Sequence, residues 1–131
     1  MAMETASIVT ITVDEDYRSV FTTTEVPQTA RGEMWLSEQQ QCLNFRYRTS
    51  FSGYESDWHV AGDPTLIIVS TGCAEIELQD GTKKSFGPGD KFIARDFLPS
   101  SIEFDLGKHG HRARLVGDED FSAVHIKLAK L

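Results

Sequence analysis

Four histidines, His59, His109, His111 and His125, are the side chains of this sequence best suited to chemistry. Imidazole titrates near neutral pH, so one ring can take a proton while another gives one, and its nitrogens also bind transition metals. In His111-Arg-Ala-Arg-Leu115 the alternate residues His111, Ala113 and Leu115 share one face of an extended chain, and the arginines take the other. That spacing predicts His111 on the inside, and Gly110 before it lets the backbone turn sharply and aim the ring. The same count groups Val124, Ile126 and Leu128 on the apolar face of the last stretch, which predicts His125 outside, as a surface or interface residue. Tyr47 falls in the alternating apolar set Leu43, Phe45, Tyr47, so its ring is expected inside as well. Cys42 and Cys73 are too far apart and too few for a zinc site or a disulfide scaffold, and read as reduced thiols.

The elements that must position these residues have a period of two. Ile8 to Val13, Tyr17 to Val26, Cys42 to Thr49, Thr65 to Ser70, Cys73 to Gln79, Asp90 to Arg95, Arg112 to Val116 and Phe121 to Leu128 read as short strands rich in Val, Ile, Phe and Thr. Turn residues punctuate them at Ser70-Thr71-Gly72, Gln79-Asp80-Gly81, Gly87-Pro88-Gly89 and Val116-Gly117-Asp118. Only Thr29 to Gln41 is open to a short helix or an ordered loop. Many short strands with regular turns predict an all-β sandwich or barrel, and residues 1–131 read as a single domain with no repeat or linker.

Composition narrows the partners. A net charge of −7, with the basic residues scattered, argues against a nucleic-acid partner, because phosphate binding needs a surplus of Lys and Arg. No apolar run is long enough to span a membrane. Met1-Ala2-Met3-Glu4-Thr5-Ala6 lacks the basic start and apolar stretch of a signal peptide, so a cytoplasmic protein is expected.

Residues 53–117 resemble the cupin superfamily. Its shorter first motif is G-x5-H-x-H-x3-E-x6-G, and the corresponding frame is Gly53, His59, Ala61, Thr65, Gly72, with both glycines and the first histidine in register. Ala61 replaces the second histidine and Thr65 the glutamate. Gly87-Pro88-Gly89-Asp90-Lys91-Phe92-Ile93-Ala94 matches the turn and strand that open the second motif. Arg95 then stands at the proline position, and residues 96–108 intervene before His111. Asp57-Trp58-His59 and Gly107-Lys108-His109-Gly110-His111-Arg112 are similar to the motifs of a small single-domain subgroup.

The resemblance implies a cupin double-stranded β-helix, a jelly-roll barrel with little helix, and a homodimer paired through an N-terminal strand, for which Ser7 to Val13 is the edge candidate. It also implies a pocket. Where the family cages a metal with three histidines and a carboxylate, only His59 and His111 persist, expected within about 8 Å of each other on neighbouring strands. The expectation is therefore no metal cofactor. The alternative, Fe, Mn or Zn, would be held by His59, His111 and Asp57 or Asp63, with His109 available if its loop folds back. Metal-free relatives of the deoxysugar epimerase type pair a histidine base with a tyrosine acid, which points to His59, His111 and Tyr47 as catalytic residues. Thr65, Ile67, Phe45, Phe97 and Phe104 are expected to bind substrate, the last two because residues 96–108 carry too many apolar side chains for a solvated loop. They would form a lid or part of a dimer interface. Trp58, of opposite parity to His59, is expected outside. The leading function is a non-redox small-molecule isomerase, cyclase or lyase. The alternatives are a metal-dependent dioxygenase and a non-catalytic small-molecule binder.

Overall fold

The period-two alternation folds, in a computed structural model that describes residues 3–129, into ten strands with no helix among the described residues. They are β1 (Met3–Val13), β2 (Ser19–Arg31), β3 (Met34–Ser37), β4 (Cys42–Ser50), β5 (Thr65–Thr71), β6 (Ala74–Leu78), β7 (Lys83–Phe86), β8 (Lys91–Ala94), β9 (His111–Leu115) and β10 (Phe121–Leu128). Seven of them form one sheet in the order β3-β2-β1-β8-β5-β10-β4, and three form a smaller sheet, β7-β6-β9. This is the all-β double-sheet barrel that the strand pattern and the motif resemblance imply.

The long β1–β2 hairpin runs in register from Met3↔Thr29 to Val13↔Ser19. Its turn is closed by Asp14, whose Oδ1 accepts the N–H groups of Asp16 and Arg18, with Tyr17 left-handed at φ 63°. Residues 29–41 hold no helix. β2 continues to Arg31, Gly32 turns at φ 64°, and β3 pairs back with Arg31↔Met34 and Gln28↔Ser37. The expected edge strand is covered in part, because β1 lies between β2 and β8, which pairs in parallel with Val9, Thr10 and Ile11. The free edges of the large sheet are β3 and β4.

Ile11, Ile67, Val69, Ile76, Leu78, Phe86, Phe92, Leu115 and Phe121 form the buried core. Each contributes about 1.5–3 kcal/mol by leaving water. Phe86 and Phe92 anchor it with ring centroids 4.4 Å apart. β6 shows why the small sheet faces this way. Ala74, Ile76 and Leu78 are buried, while Glu75 and Glu77 face outward and receive Arg114 and Arg112 at 2.8 Å.

Candidate active site

A fourth, irregular strand completes the small sheet and carries the first histidine. Ser56 N–H donates to Ala113 C=O at 2.8 Å, and His59 and His111 exchange both backbone bonds at 2.9 Å. Three chain steps from Ser56 to His59 thus face two steps from Ala113 to His111, so one residue is extra. This is a β-bulge, and it re-aims the residues beyond it. Ser56 and His59 both line the barrel pocket, while Trp58 lies outside under the Arg112 guanidinium, 4.6 Å from its ring centroid. The other half of the approach is made by Gly110, at φ 88°, where a Cβ would meet the His59 carbonyl oxygen at 2.5 Å. Only glycine lets these backbones come so close.

The two imidazoles lie with centroids 4.5 Å apart, tilted by 58°. His111 is buried, and its Nδ1 donates to Asp96 Oδ2 at 2.6 Å. Asp96, fully buried at the end of β8, also accepts the Ser19 hydroxyl at 2.6 Å and the Ala61 N–H at 3.1 Å. Burial alone would raise its proton affinity, but bonds from His111, Ser19 and Ala61 hold the carboxyl below its ordinary range. His59 Nδ1 contacts the Asp57 carbonyl at 2.8 Å, and a carbonyl only accepts, so Nδ1 carries the proton. Both rings therefore commit an Nδ1 N–H, and among the described residues neither Nε2 has a hydrogen-bond partner. Partial burial, opposed by the Asp57 carbonyl and reinforced by His111, lowers the His59 pKa.

The pocket in front of the rings has a volume of about 250 Å³. It opens onto a wider mouth of about 500 Å³ that shares Arg48, Tyr54, Thr65 and His125 with it. A larger concavity, about 650 Å³, is a surface groove among the ion pairs on the outer face of the small sheet and does not touch the histidines. Thr65 and Ile67 line the histidine pocket as expected.

Other expectations fail, for identifiable reasons. Tyr47 and Phe45 lie on the outer face of the large sheet, 79% and 63% exposed, and Tyr47 borders only the wider mouth, not the histidine pocket. Their register partners Val124 and Ile126 alternate with the core residues Phe121 and Ala123. His125 shares the inward parity of those core residues and lines the pocket, where Nε2 is buried without a hydrogen-bond partner among the described residues. Tyr54, which sequence reasoning missed, is the pocket's tyrosine. Phe97 and Phe104 do not line the pocket, so residues 96–108 are not its lid. Their loop is tied to the outward-facing Gln79, whose Nε2 donates to Leu106 C=O and His109 C=O. His109 is buried in that loop, accepting the Asp105 N–H at Nδ1. Asp57 lies in the outer groove, because the bulge breaks its parity with His59, while Asp63 does line the histidine pocket but pairs with Lys127 at 3.2 Å. Thr65 spends its hydroxyl proton on the Asp63 carbonyl. Among the described residues no three His, Cys, Asp or Glu side chains converge as metal ligands. The donor set does not fit the metal cage of the family that the motifs resemble.

Asp96 and Ser19 were missed because neither lies in a motif, and a carboxylate that ends a strand reads as loop. The available signal was the position of Asp96 two residues after the core strand Phe92-Ile93-Ala94, on the same parity as Phe92 and Ala94.

No protein-family model matches the chain, and no curated protein matches it significantly. Among solved structures it is similar to a Cupin 2 conserved barrel domain protein from Salinispora arenicola, at 24% identity and TM-score 0.44 over 63% of this chain and 59% of that one. It is also similar to a conserved protein of unknown function from Streptococcus pyogenes, at 19% identity and TM-score 0.44 over 72% and 70% of the two chains. A protein from Neisseria meningitidis gives 19% identity and TM-score 0.44 over 74% and 90%. The chain spans less than two thirds of the first of these. No described helix is long and apolar enough to cross a membrane.

Proposed function

We propose that this chain is a small-molecule barrel whose histidine pair moves protons on a bound substrate, as a non-redox isomerase, cyclase or lyase. The observation that carries this reading is the Asp96–His111–His59 array, with two adjacent rings lining one small pocket, each with its Nδ1 already bonded, and a buried carboxylate behind one of them. His59, with its pKa lowered by burial, is neutral at pH 7, and its Nε2 lone pair takes a proton from a substrate carbon. The electron pair left behind moves onto an adjacent carbonyl oxygen of the substrate. His111, entering with a proton on Nε2 and its Nδ1 bonded to Asp96, returns that proton at a second position and is then reprotonated by way of the neighbouring His59, so the pair is restored and the substrate changes shape without a change in oxidation state. Tyr54, not Tyr47, is the phenol within the pocket.

The test is deuterium incorporation from D2O into a panel of small carbonyl compounds, followed by NMR. Wild-type protein should exchange a substrate proton, and His111→Ala should lower the rate by about 10²–10⁴-fold. Asp96→Asn should lose rate while folding normally. Equal rates in wild type and His111→Ala, or no exchange with binding retained, would leave a binding module. Activity should also survive dialysis against a chelator, since the pocket has too few donors for high affinity. Stoichiometric iron, manganese or zinc after that treatment would promote the dioxygenase reading.

A further inference from the structure

We infer that the molecule held in this pocket is a small organic anion, bound through its carboxylate or phosphate by Arg48 and Arg46 on the wall that β4 and β10 build. The inference rests on the proposed function for its site and adds the chemical class of the substrate.

β4 turns its polar residues inward. Arg46 pairs with His125 and Arg48 with Ala123, an inward core residue of β10. The Arg48 guanidinium lies over Tyr54 and Phe121, 5.2 and 5.4 Å from their ring centroids, and its Nε donates to Ser50 Oγ at 3.0 Å. Two aromatic faces and one hydrogen bond thus orient the planar fork and leave its remaining N–H donors uncommitted. Among the described residues neither Arg46 nor Arg48 has a carboxylate within 4.0 Å, whereas Arg112 and Arg114 on the outer surface are both paired. Lys127, the other cation at the mouth, is taken by Asp63.

A chain of net charge −7 has acidic residues to spare, yet the described residues supply no carboxylate partner for Arg48, half-buried in the concave wall, or for Arg46, exposed at its mouth. A half-buried guanidinium is ordinarily paired, and a ligand oxyanion completes it bidentately. The unpartnered, buried Nε2 of His125 lies beside the same guanidinium groups, whose charge adds to burial in pushing its pKa down to about 4. His125 is thus neutral at pH 7, and does not itself add charge to the wall. Arg48 also lies near enough to His59 to lower its proton affinity. One anion therefore spans from the arginines to the histidine pair. The volume of about 250 Å³ in front of the histidines limits the part of the ligand that reaches them to a small group, while Arg46 meets it at the wider mouth.

Calorimetry with benzoate, phenyl phosphate and the neutral benzamide tests the inference on the whole protein. Benzoate or phenyl phosphate should bind, benzamide should not, and the tighter of the two anions identifies the group recognised. Arg48→Gln should weaken that binding by about 10–100-fold, the usual worth of a hydrogen bond to a charged group. Arg48→Lys, which keeps charge but not the fork, should fall between. If Arg48→Gln does not fold, Arg46→Gln, with its side chain exposed at the mouth, should give a smaller loss of the same sign. Proton exchange in the wild-type protein tests the proposed function and anion affinity in the arginine variants tests this inference, so anion binding that falls in Arg48→Gln without any proton exchange in wild type separates the two proposals. Equal affinity for benzamide, or unchanged anion affinity in every arginine variant, overturns the inference.

Discussion

His125 makes the interior of this barrel sensitive to acid. Its pKa is pushed down to about 4 by burial first, then by Arg48 and Arg46, whereas an unfolded histidine titrates near 6.5. Between those values the unfolded chain binds more protons than the folded one, so stability rises with pH across that interval. The contribution of His125 is complete above about pH 6.5 and is lost as pH falls toward 4. His59, lowered chiefly by burial, acts in the same direction. Asp96, also held below its usual range, adds its loss only at lower pH, as its carboxyl takes up a proton. Urea midpoints should therefore fall between pH 7 and pH 4.5, and His125→Gln should flatten that fall. Parallel slopes in the two proteins would mean that His125 is not the group responsible.

Strand existence was legible from the period-two pattern, but strand phase was legible only where one face is plainly apolar. β6 and β9 satisfy that condition, so Ala74, Ile76, Leu78 and His111 fall inside as read. β4 and β10 do not, because their inner faces form a polar pocket. Asn44, Arg46 and Arg48 point in while Leu43, Phe45 and Tyr47 point out, and choosing the more apolar set inverts both strands. Phe121 and Ala123 held the signal that fixes β10, and a register shift at Lys127/Leu128 masked it. The bulge before His59 was not legible, since one inserted residue leaves no mark in composition. Gly110 was legible, and its role is testable. Gly110→Ala combines a left-handed backbone with a Cβ at 2.5 Å from the His59 carbonyl oxygen, whereas Gly81→Ala has φ 89° and open space. Gly110→Ala should lose more stability in urea than Gly81→Ala, whose cost is the strain alone, about 1–3 kcal/mol. It should also shift the His59 ring resonances. Equal losses would show that the close approach is not what glycine serves there.

At the level of the whole molecule, one edge of the large sheet differs from the rest of the surface. β4 has one unpaired side and an outer face bearing exposed Leu43, Phe45 and Tyr47, continued by Val124 and Ile126 on β10. We propose that the homodimer expected at β1 forms on β4 instead, because an open edge beside an apolar face favours a second copy of the same strand. Light scattering at micromolar concentration should give a dimer, and Phe45→Lys should give a monomer. A monomeric wild type removes the proposal. The bulge has a further consequence, in the exchange of amide hydrogens with solvent. Asp57 and Trp58 fall in the gap of the ladder, while the amides of His59 and His111 on its far side are bonded to each other's carbonyls. The first two should exchange rapidly, and the second two only through local opening, at a free energy below that of unfolding the barrel. Protection at His59 and His111 then measures how often the site opens, independently of how often the protein unfolds. A bound ligand should slow their exchange and leave the core amides of β5 unchanged.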